Sequence, residues 1–207
     1  LVYYLNGDYR CEPGEAVTVA FAGQKKQAVA KPAGTWSLRL DALKASAAPA
    51  VFTVAGANTI ELTNVVVGEV WFCSGQSNME WPVRNSDNPE QEIAAAQFPL
   101  IRHFKAPKAF KPAPQADIDA KWEATTPESI PGQSAVAYFF GRRLHQALQV
   151  PVGLINCSWG GTRIEPWTPA CGFDGLPELA GIKARVDAAD PASPVHKQLL
   201  GDYVAAL

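Results

Sequence analysis

The sequence has no long apolar run and no excess of basic residues. Its uninterrupted apolar stretches fall well short of the roughly 18 residues that a membrane-spanning helix needs. The formal net charge is -2 and the pI is about 5.9, so the sequence lacks the excess of basic residues that is typical of nucleic-acid-binding domains. The basic doublets Lys25-Lys26 and Arg142-Arg143 are interpreted as solvated faces. We therefore expect no membrane and no nucleic-acid partner.

Motifs for several common chemistries are also missing. There is no HExxH, P-loop or GxGxxG motif, which argues against a metalloprotease, a kinase and a dinucleotide-binding protein. No two cysteines are spaced as C-x-x-C, so neither a zinc site nor a thioredoxin-like centre is expected. Cys73 and Cys157 lie in apolar stretches and are interpreted as small buried hydrophobic residues. The sequence leaves open whether a disulfide forms among the four cysteines, which are Cys11, Cys73, Cys157 and Cys171.

The composition is that of a globular chain. It has 207 residues, of which 47% are hydrophobic and 18% are charged, which suits one domain or one and a half. The first residue is Leu rather than Met. We interpret the chain as a mature or excised piece from which any signal peptide has been removed.

Residues 1–64 have the pattern of a β-rich segment. Short runs with strand character recur at 16–21, 35–40, 50–54 and 59–63, and the turn formers PGE, AGQKK, KPAG and AGAN lie between them. This spacing predicts a small antiparallel sandwich or jelly-roll-like layer.

From residue 65 the pattern changes to that of an α/β domain. The near-continuous apolar run VVVGEVWFC (65–73) predicts a strand that is buried on both faces. A short helix at 90–97, a strand at 100–107, a helix at 134–149 capped by Ser134 and a strand at 150–159 follow. A Pro/Ala/Lys-rich loop is expected at 106–121, and a helical tail, broken near Asp190-Pro191, at 178–206. The alternation predicts βαβ units with a parallel sheet over residues 65–207.

Two of the predicted parallel strands end in unusual polar sequences. SGQSN (74–78) follows the first strand and SWGGTRIEPW (158–167) follows the third. Because ligands of such sheets gather at the carboxyl ends of the strands, we expect the two segments to lie close together. A serine there becomes a nucleophile if a base takes its proton and donors meet the oxyanion. The simpler alternatives are a capped strand-to-helix turn at Ser77 or Asn78 and a glycine-dependent turn at Gly160-Gly161.

The combination of GEVWFCSGQSNMEW (68–81) with VPVGLINCSWGGTRIEPWTP (150–169) resembles the SGNH (GDSL-like) hydrolases, in particular their sialate O-acetylesterase-like group. The resemblance covers roughly residues 14–169 and implies a three-layer α/β/α parallel sheet that is incomplete in this chain. It implies that Ser77 is the nucleophile and that its backbone N–H is one oxyanion donor. Gly160 is implied as the second donor, with Gly161 as the alternative.

The resemblance also implies a substrate site at the same edge. Gln76 and Asn78 would hold the turn around the nucleophile. The side chains expected to shape a sugar site are Trp81, Arg163, Glu165 and Trp167. The simpler alternatives are packing of the tryptophans between loops and a local salt bridge between Arg163 and Glu165.

Two parts of the family pattern do not occur in the sequence. The family takes a third oxyanion donor from a later Asn and its base from an Asp-x-x-His segment. None of His103, His145 and His196 has Asp three residues before it, and all three are interpreted as surface or structural residues. We therefore expect a downstream segment or a second chain to supply the Asn and the Asp-x-x-His.

By this resemblance the chain would be the N-terminal part of a carbohydrate O-acetylesterase. The substrate would be an acetylated sialic acid or a plant glycan such as xylan or xyloglucan, and no metal or organic cofactor is expected. Such substrates imply a periplasmic or secreted location. The alternatives are a non-catalytic carbohydrate-binding module and an SGNH lipase or thioesterase.

Overall fold

The computed structural model describes residues 11–111, 115 and 117–206. The described residues form two compact units. The larger contains residues 11–107 and 117–160, and the smaller contains residues 108–111, 115 and 161–206. The division that the sequence predicts after residue 64 stays a prediction, and its first ten residues lie outside the described part.

The larger unit begins with an antiparallel sheet of four strands. These are β1 (Ala16–Phe21), β2 (Gln24–Val29), β3 (Ser46–Ala55) and β4 (Thr59–Val67), in the order β2-β1-β3-β4. Alternate residues of β1 and β3 point into one apolar core, which contains Val17, Val19, Phe21, Phe52 and Val54. The predicted strands at 16–21, 50–54 and 59–63 are confirmed.

Two predictions for this segment are wrong. Residues 35–40 form no strand, although Trp36, Leu38 and Leu40 do pack on the core of the sheet. Alternation reports which side chains face the core, but it does not ensure that a neighbouring strand pairs with the segment. Conversely, Gln24–Val29, which was assigned mainly to a turn, is a strand at the edge of the sheet. Its polar side chains suit that position.

The second sheet of the larger unit is mainly parallel. It comprises β5 (Glu69–Gly75), β6 (Phe98–Lys105), β7 (Trp122–Thr125) and β8 (Val152–Ser158), in the order β5-β8-β6-β7. Strand β8 lies parallel to both β5 and β6, as the three buried-strand patterns predict. Strand β7 pairs antiparallel with β6 and was not predicted. Of the loop expected at 106–121, residues 112–114 and 116 lie outside the described residues.

The apolar run 65–73 is divided between the two sheets. Its first three residues end β4, and Gly68 separates them from β5. A side chain at Gly68 would collide with the carbonyl of Pro151, so glycine permits this close approach of the two backbones. The expected burial on both faces is wrong for β5, since Phe72 is 67% exposed. Among the described residues β5 has a strand neighbour on one side only.

Three helices belong to the larger unit. They are α1 (Ser77–Glu80), α2 (Pro89–Ala94) and α3 (Ala135–Leu148), and short 3-10 turns lie at Val83–Asn85 and Ile130–Gly132. The cap predicted for α3 is confirmed, because the Ala137 N–H donates to the Ser134 hydroxyl over 3.2 Å. Helix α3 packs on the parallel sheet around Ile101, Ala137 and Leu154.

The smaller unit contains helices α4 (Ala180–Ala189) and α5 (Pro194–Ala205). Short 3-10 turns precede them at Glu165–Trp167, Ala170–Phe173 and Pro177–Leu179. The break between the helices falls at the predicted Asp190-Pro191. The architecture as a whole confirms the predicted α/β class with a β-rich segment in front. Among the described residues no helix has both the length and the hydropathy needed to span a membrane.

Candidate active site

Strands β5 and β8 bring the two polar segments together. They are neighbours in the sheet, and Gly75 at the end of β5 is in register with Ser158 at the end of β8. The Trp159 N–H donates to the Gly75 carbonyl over 3.1 Å, which continues the pairing beyond the strands. The sequence-based expectation that the two segments share one edge is therefore correct.

Ser77 is the first residue of the short helix α1 and is exposed. The preceding turn depends on Gly75, whose φ of +150° is a region that glycine occupies readily. A side chain at Gly75 would also meet the Met79 Cβ at 3.2 Å. Helix α1 has no side-chain cap. The interpretation of the segment as a serine- or asparagine-capped turn thus loses its support.

Gly160 lies directly beside Ser77. A Cβ placed on Gly160 would be 3.3 Å from the Ser77 Oγ and 3.4 Å from its Cα. A glycine is therefore what allows the backbone after β8 to approach the serine so closely. Backbone amides close to a nucleophile are the kind of group that forms an oxyanion hole.

The N–H of Gly160 already has an acceptor. It donates to the Glu80 Oε2 over 2.5 Å, and Glu80 is the last residue of α1. Sequence reasoning missed Glu80. Its one signal is the spacing of three residues from Ser77, which places the two on adjacent positions of a helix surface.

The other residues predicted around the nucleophile are also at this edge. The Ser77 hydroxyl lies 3.5 Å from the Gln76 Oε1, and Asn78 is exposed beside it. Trp81 directly follows α1, and its indole N–H donates to the Asn85 carbonyl over 2.9 Å. That bond holds the ring while leaving 51% of the residue exposed. Trp81 is therefore available as a flat apolar surface.

A buried asparagine supports the two strand ends and was not predicted. Asn156 in β8 donates from its amide to the Cys73 carbonyl over 3.2 Å and accepts from the Ser158 hydroxyl at 3.1 Å. It is 2% exposed, and buried polar groups of this kind fix one register between neighbouring strands. The sequence signal is an amide within the otherwise apolar VGLINC.

The remaining predicted residues belong to the smaller unit. They are Gly161, Arg163, Glu165 and Trp167. Gly161 has a φ of +79°, and the Trp167 indole donates to the Thr162 hydroxyl over 2.8 Å. Arg163 is exposed and Glu165 is partly buried. Within the described part of the chain Arg163 and Glu165 form no salt bridge with each other, so their interpretation as a local ion pair is not supported.

Each histidine has a local structural contact. The His103 ring lies 2.9 Å from the Thr125 hydroxyl, His145 Nδ1 lies 2.7 Å from the Val150 carbonyl, and His196 Nδ1 lies 2.8 Å from the Ala188 carbonyl. Burial lowers the pKa of His103 to about 4, so this ring is neutral at pH 7. No described contact connects any of the three to Ser77.

Neither cysteine near the strand ends competes with Ser77 as a nucleophile. Cys73 and Cys157 are free thiols in the structure. Burial raises the pKa of both Cys73 and Cys157, which favours the unreactive thiol over the thiolate. Among the described residues no cluster of three or more His, Cys, Asp or Glu side chains could hold a metal ion.

The chain is similar to known acetylesterases. Residues 67–180 match the family described as "Carbohydrate esterase, sialic acid-specific acetylesterase". A sialate O-acetylesterase of Rattus norvegicus is 31% identical over 93% of this chain and 41% of its own length. The human sialate O-acetylesterase is 34% identical over 77% of this chain and 35% of its own length. A crystal structure of a carbohydrate acetylesterase from Xanthomonas citri superposes with a TM-score of 0.74 and 37% identity, over 79% of this chain and 38% of that protein. The chain thus spans about two fifths of the length of the relatives that it matches.

Proposed function

The chain belongs to the family of sialic acid-specific carbohydrate acetylesterases, and we propose that it carries the nucleophile of a serine-dependent carbohydrate O-acetylesterase. The observation that carries this proposal is the exposed Ser77 at the end of β5 with the backbone of Gly160 against it. This supports the proposal because acyl transfer needs a nucleophile with backbone donors close to it.

In the proposed reaction Ser77 Oγ attacks the carbonyl carbon of an O-acetyl group. A histidine base takes the serine proton and returns it to the sugar oxygen as the ester bond breaks. The deacetylated hydroxyl leaves, and an acetyl-serine remains. Water then attacks the acetyl-serine and gives one proton to the same base, which passes it to Ser77 as acetic acid departs and ionises to acetate.

The oxyanion formed in each half of the reaction requires donors that are already in place. We assign the Ser77 N–H as one donor and the N–H of Gly160 or Gly161 as the second. Gly160 serves as this donor if its N–H is shared between Glu80 and the oxyanion, and otherwise Gly161 is the donor. A donor of this kind is worth roughly 10²- to 10³-fold in rate.

Recognition of the sugar is assigned to the polar and aromatic residues near the strand ends. Trp81 offers an exposed ring face for stacking, while Gln76 and Asn78 offer amides next to the nucleophile. From the smaller unit we assign Arg163, Glu165 and Trp167 to the substrate. The relatives' names refer to sialate esters and to carbohydrate, so an acetylated sialic acid or an acetylated glycan is the proposed substrate.

A downstream segment is proposed to supply the histidine, its aspartate and a third donor from asparagine. The chain spans about two fifths of its relatives, and no described contact links a histidine of the chain to Ser77. The open side of β5 is the proposed docking edge, because among the described residues β5 has a strand neighbour on one side only and its Phe72 is 67% exposed. Because its substrates lie outside the cytoplasm, a periplasmic or secreted location belongs to the same proposal.

The test is acetate release from O-acetylated sialic acid, xylan and xyloglucan. It uses the polypeptide expressed from the native gene, its Ser77→Ala variant and the 207-residue chain alone. The proposal expects activity in the first and none in the second. The chain alone should be nearly inactive, because without a base only a residual advantage of roughly 10³ over water remains. Binding of sugar without hydrolysis would instead favour a carbohydrate-binding module.

A further inference from the structure

A hydrogen bond to a side chain joins helix α1, which carries Ser77, to the backbone at Gly160. Its donor is the backbone N–H of Gly160 and its acceptor is the Glu80 Oε2, 2.5 Å away. The two residues are 80 positions apart in the chain, so local turn geometry does not explain the contact. A carboxylate oxygen is a good acceptor for a backbone N–H.

There is no room for a side chain on Gly160 beside this hydrogen bond. A Cβ on Gly160 would lie 2.8 Å from the Glu80 Oε2 and 3.3 Å from the Ser77 Oγ. The backbone of Gly160 thus lies close to both the Glu80 carboxylate and the Ser77 hydroxyl. A small shift of Gly160 would change the gap beside the Ser77 Oγ, which is where an oxyanion would form.

The residues on either side of Gly160 have restraints of their own. The Trp159 N–H bonds to the Gly75 carbonyl at 3.1 Å, which fixes the residue before Gly160. Gly161, directly after it, has a φ of +79°, where glycine bends the chain freely. The Glu80 carboxylate therefore acts at the point where the regular strand pairing has ended and the chain begins to turn.

We propose that Glu80 is a positioning residue, whose side-chain oxygen fixes the backbone of Gly160 beside Ser77 by accepting its N–H. This inference rests on the proposed esterase function. Glu80 acts through Gly160 and not on the substrate. What it contributes is an acceptor oxygen at the right distance, and the negative charge is not itself required. A carboxylate close to a developing oxyanion would in fact oppose that charge.

Three substitutions of Glu80 distinguish the effect of the position of its acceptor oxygen from the effect of its charge. Glu80→Gln keeps the length and an acceptor oxygen but removes the charge. Glu80→Asp keeps the charge but withdraws the oxygen by about one methylene, roughly 1.5 Å, and Glu80→Ala removes the acceptor. Glu90→Ala, at an exposed glutamate in the first turn of α2, is the matched control.

The measurement is kcat and KM for an acetylated sugar with the polypeptide expressed from the native gene. We expect Glu80→Ala and Glu80→Asp to lower kcat by about 10-fold or more, because displacements near 1 Å can cost as much as about 10²-fold. KM should change by less than about 3-fold, since substrate contacts are intact. Glu80→Gln and Glu90→Ala should stay within about 3-fold of the unsubstituted protein.

Two results would overturn the positioning role. One is an unchanged kcat in Glu80→Ala, and the other is a loss in Glu80→Gln as large as in Glu80→Ala. Circular dichroism and a thermal midpoint recorded for each variant ensure that only folded protein is compared, and Glu80→Gln against Glu80→Asp remains informative if Glu80→Ala does not fold. Ser77→Ala separates the two levels of the argument. If Ser77→Ala keeps its activity, the proposed esterase function is wrong. If Ser77→Ala is inactive and Glu80→Ala is fully active, only the positioning role of Glu80 is wrong.

Discussion

Acidification should weaken the mainly parallel sheet through His103. This residue lies in β6, is 1% exposed and has a pKa that burial lowers from 6.5 to about 4. The unfolded chain therefore binds a proton at a higher pH than the folded chain. The stability that this difference contributes is complete above pH 6.5 and is lost as the pH falls towards 4. In total it amounts to about 3 kcal/mol, of which about 1.4 kcal/mol is lost between pH 7.5 and 5.5.

The assay is urea unfolding followed by tryptophan fluorescence at about pH 7.5, 6.5 and 5.5. The comparison is with His103→Gln, which does not titrate and can still hydrogen-bond to the Thr125 hydroxyl, the partner of His103 at 2.9 Å. The pH-dependent loss should be about 1.4 kcal/mol smaller in the variant. Other titrating groups cancel in that difference. Equal losses in the two proteins would show that His103 is not held neutral by burial.

Further predictions concern packing, capping and substrate recognition. Gly141→Ala should destabilise the protein by about 1–3 kcal/mol in thermal unfolding, because the added Cβ would lie 2.7 Å from the Leu154 Cδ1. Gly201→Ala in α5 should stabilise it by up to about 1 kcal/mol, because no atom lies within 4 Å of the added Cβ and alanine favours a helix. Ser134→Ala should cost about 1 kcal/mol of the free energy of unfolding through the lost cap of α3, and an unchanged midpoint would contradict this. Trp81→Ala should lower kcat/KM for an acetylated sugar by about 10-fold but leave p-nitrophenyl acetate hydrolysis unchanged, since stacking acts only on the sugar. Equal losses on both esters would exclude a stacking role for Trp81.

The sequence predicted the parallel sheet well because its physical signals there are strong. Long apolar runs mark β5 and β8, and the helical spacing of apolar residues marks α3, where Ser134 is the cap. The antiparallel sheet was harder. The polar QKKQAV of β2 does not look like a strand because its outer face is solvated, and residues 35–40 alternate because they cover a core without pairing.

The candidate site was predictable where topology determined it. The carboxyl ends of neighbouring parallel strands meet, which brings Ser77 close to Gly160 whatever the details of the loops. Glu80 was not predictable, because no local rule says which acceptor a backbone N–H 80 residues away will find. The exposure of Phe72 was missed for a related reason, since an apolar run indicates a surface to be covered but not what covers it.

The most direct test of Ser77 as the nucleophile is covalent labelling with a fluorophosphonate probe, followed by peptide mass mapping. It uses the polypeptide expressed from the native gene, with Ser77→Ala and, as a matched control from the same exposed stretch, Ser74→Ala. We predict one phosphonyl adduct on Ser77, lost in Ser77→Ala and kept in Ser74→Ala. A label on another serine, or acetate release by protein that never labels at Ser77, would contradict the account.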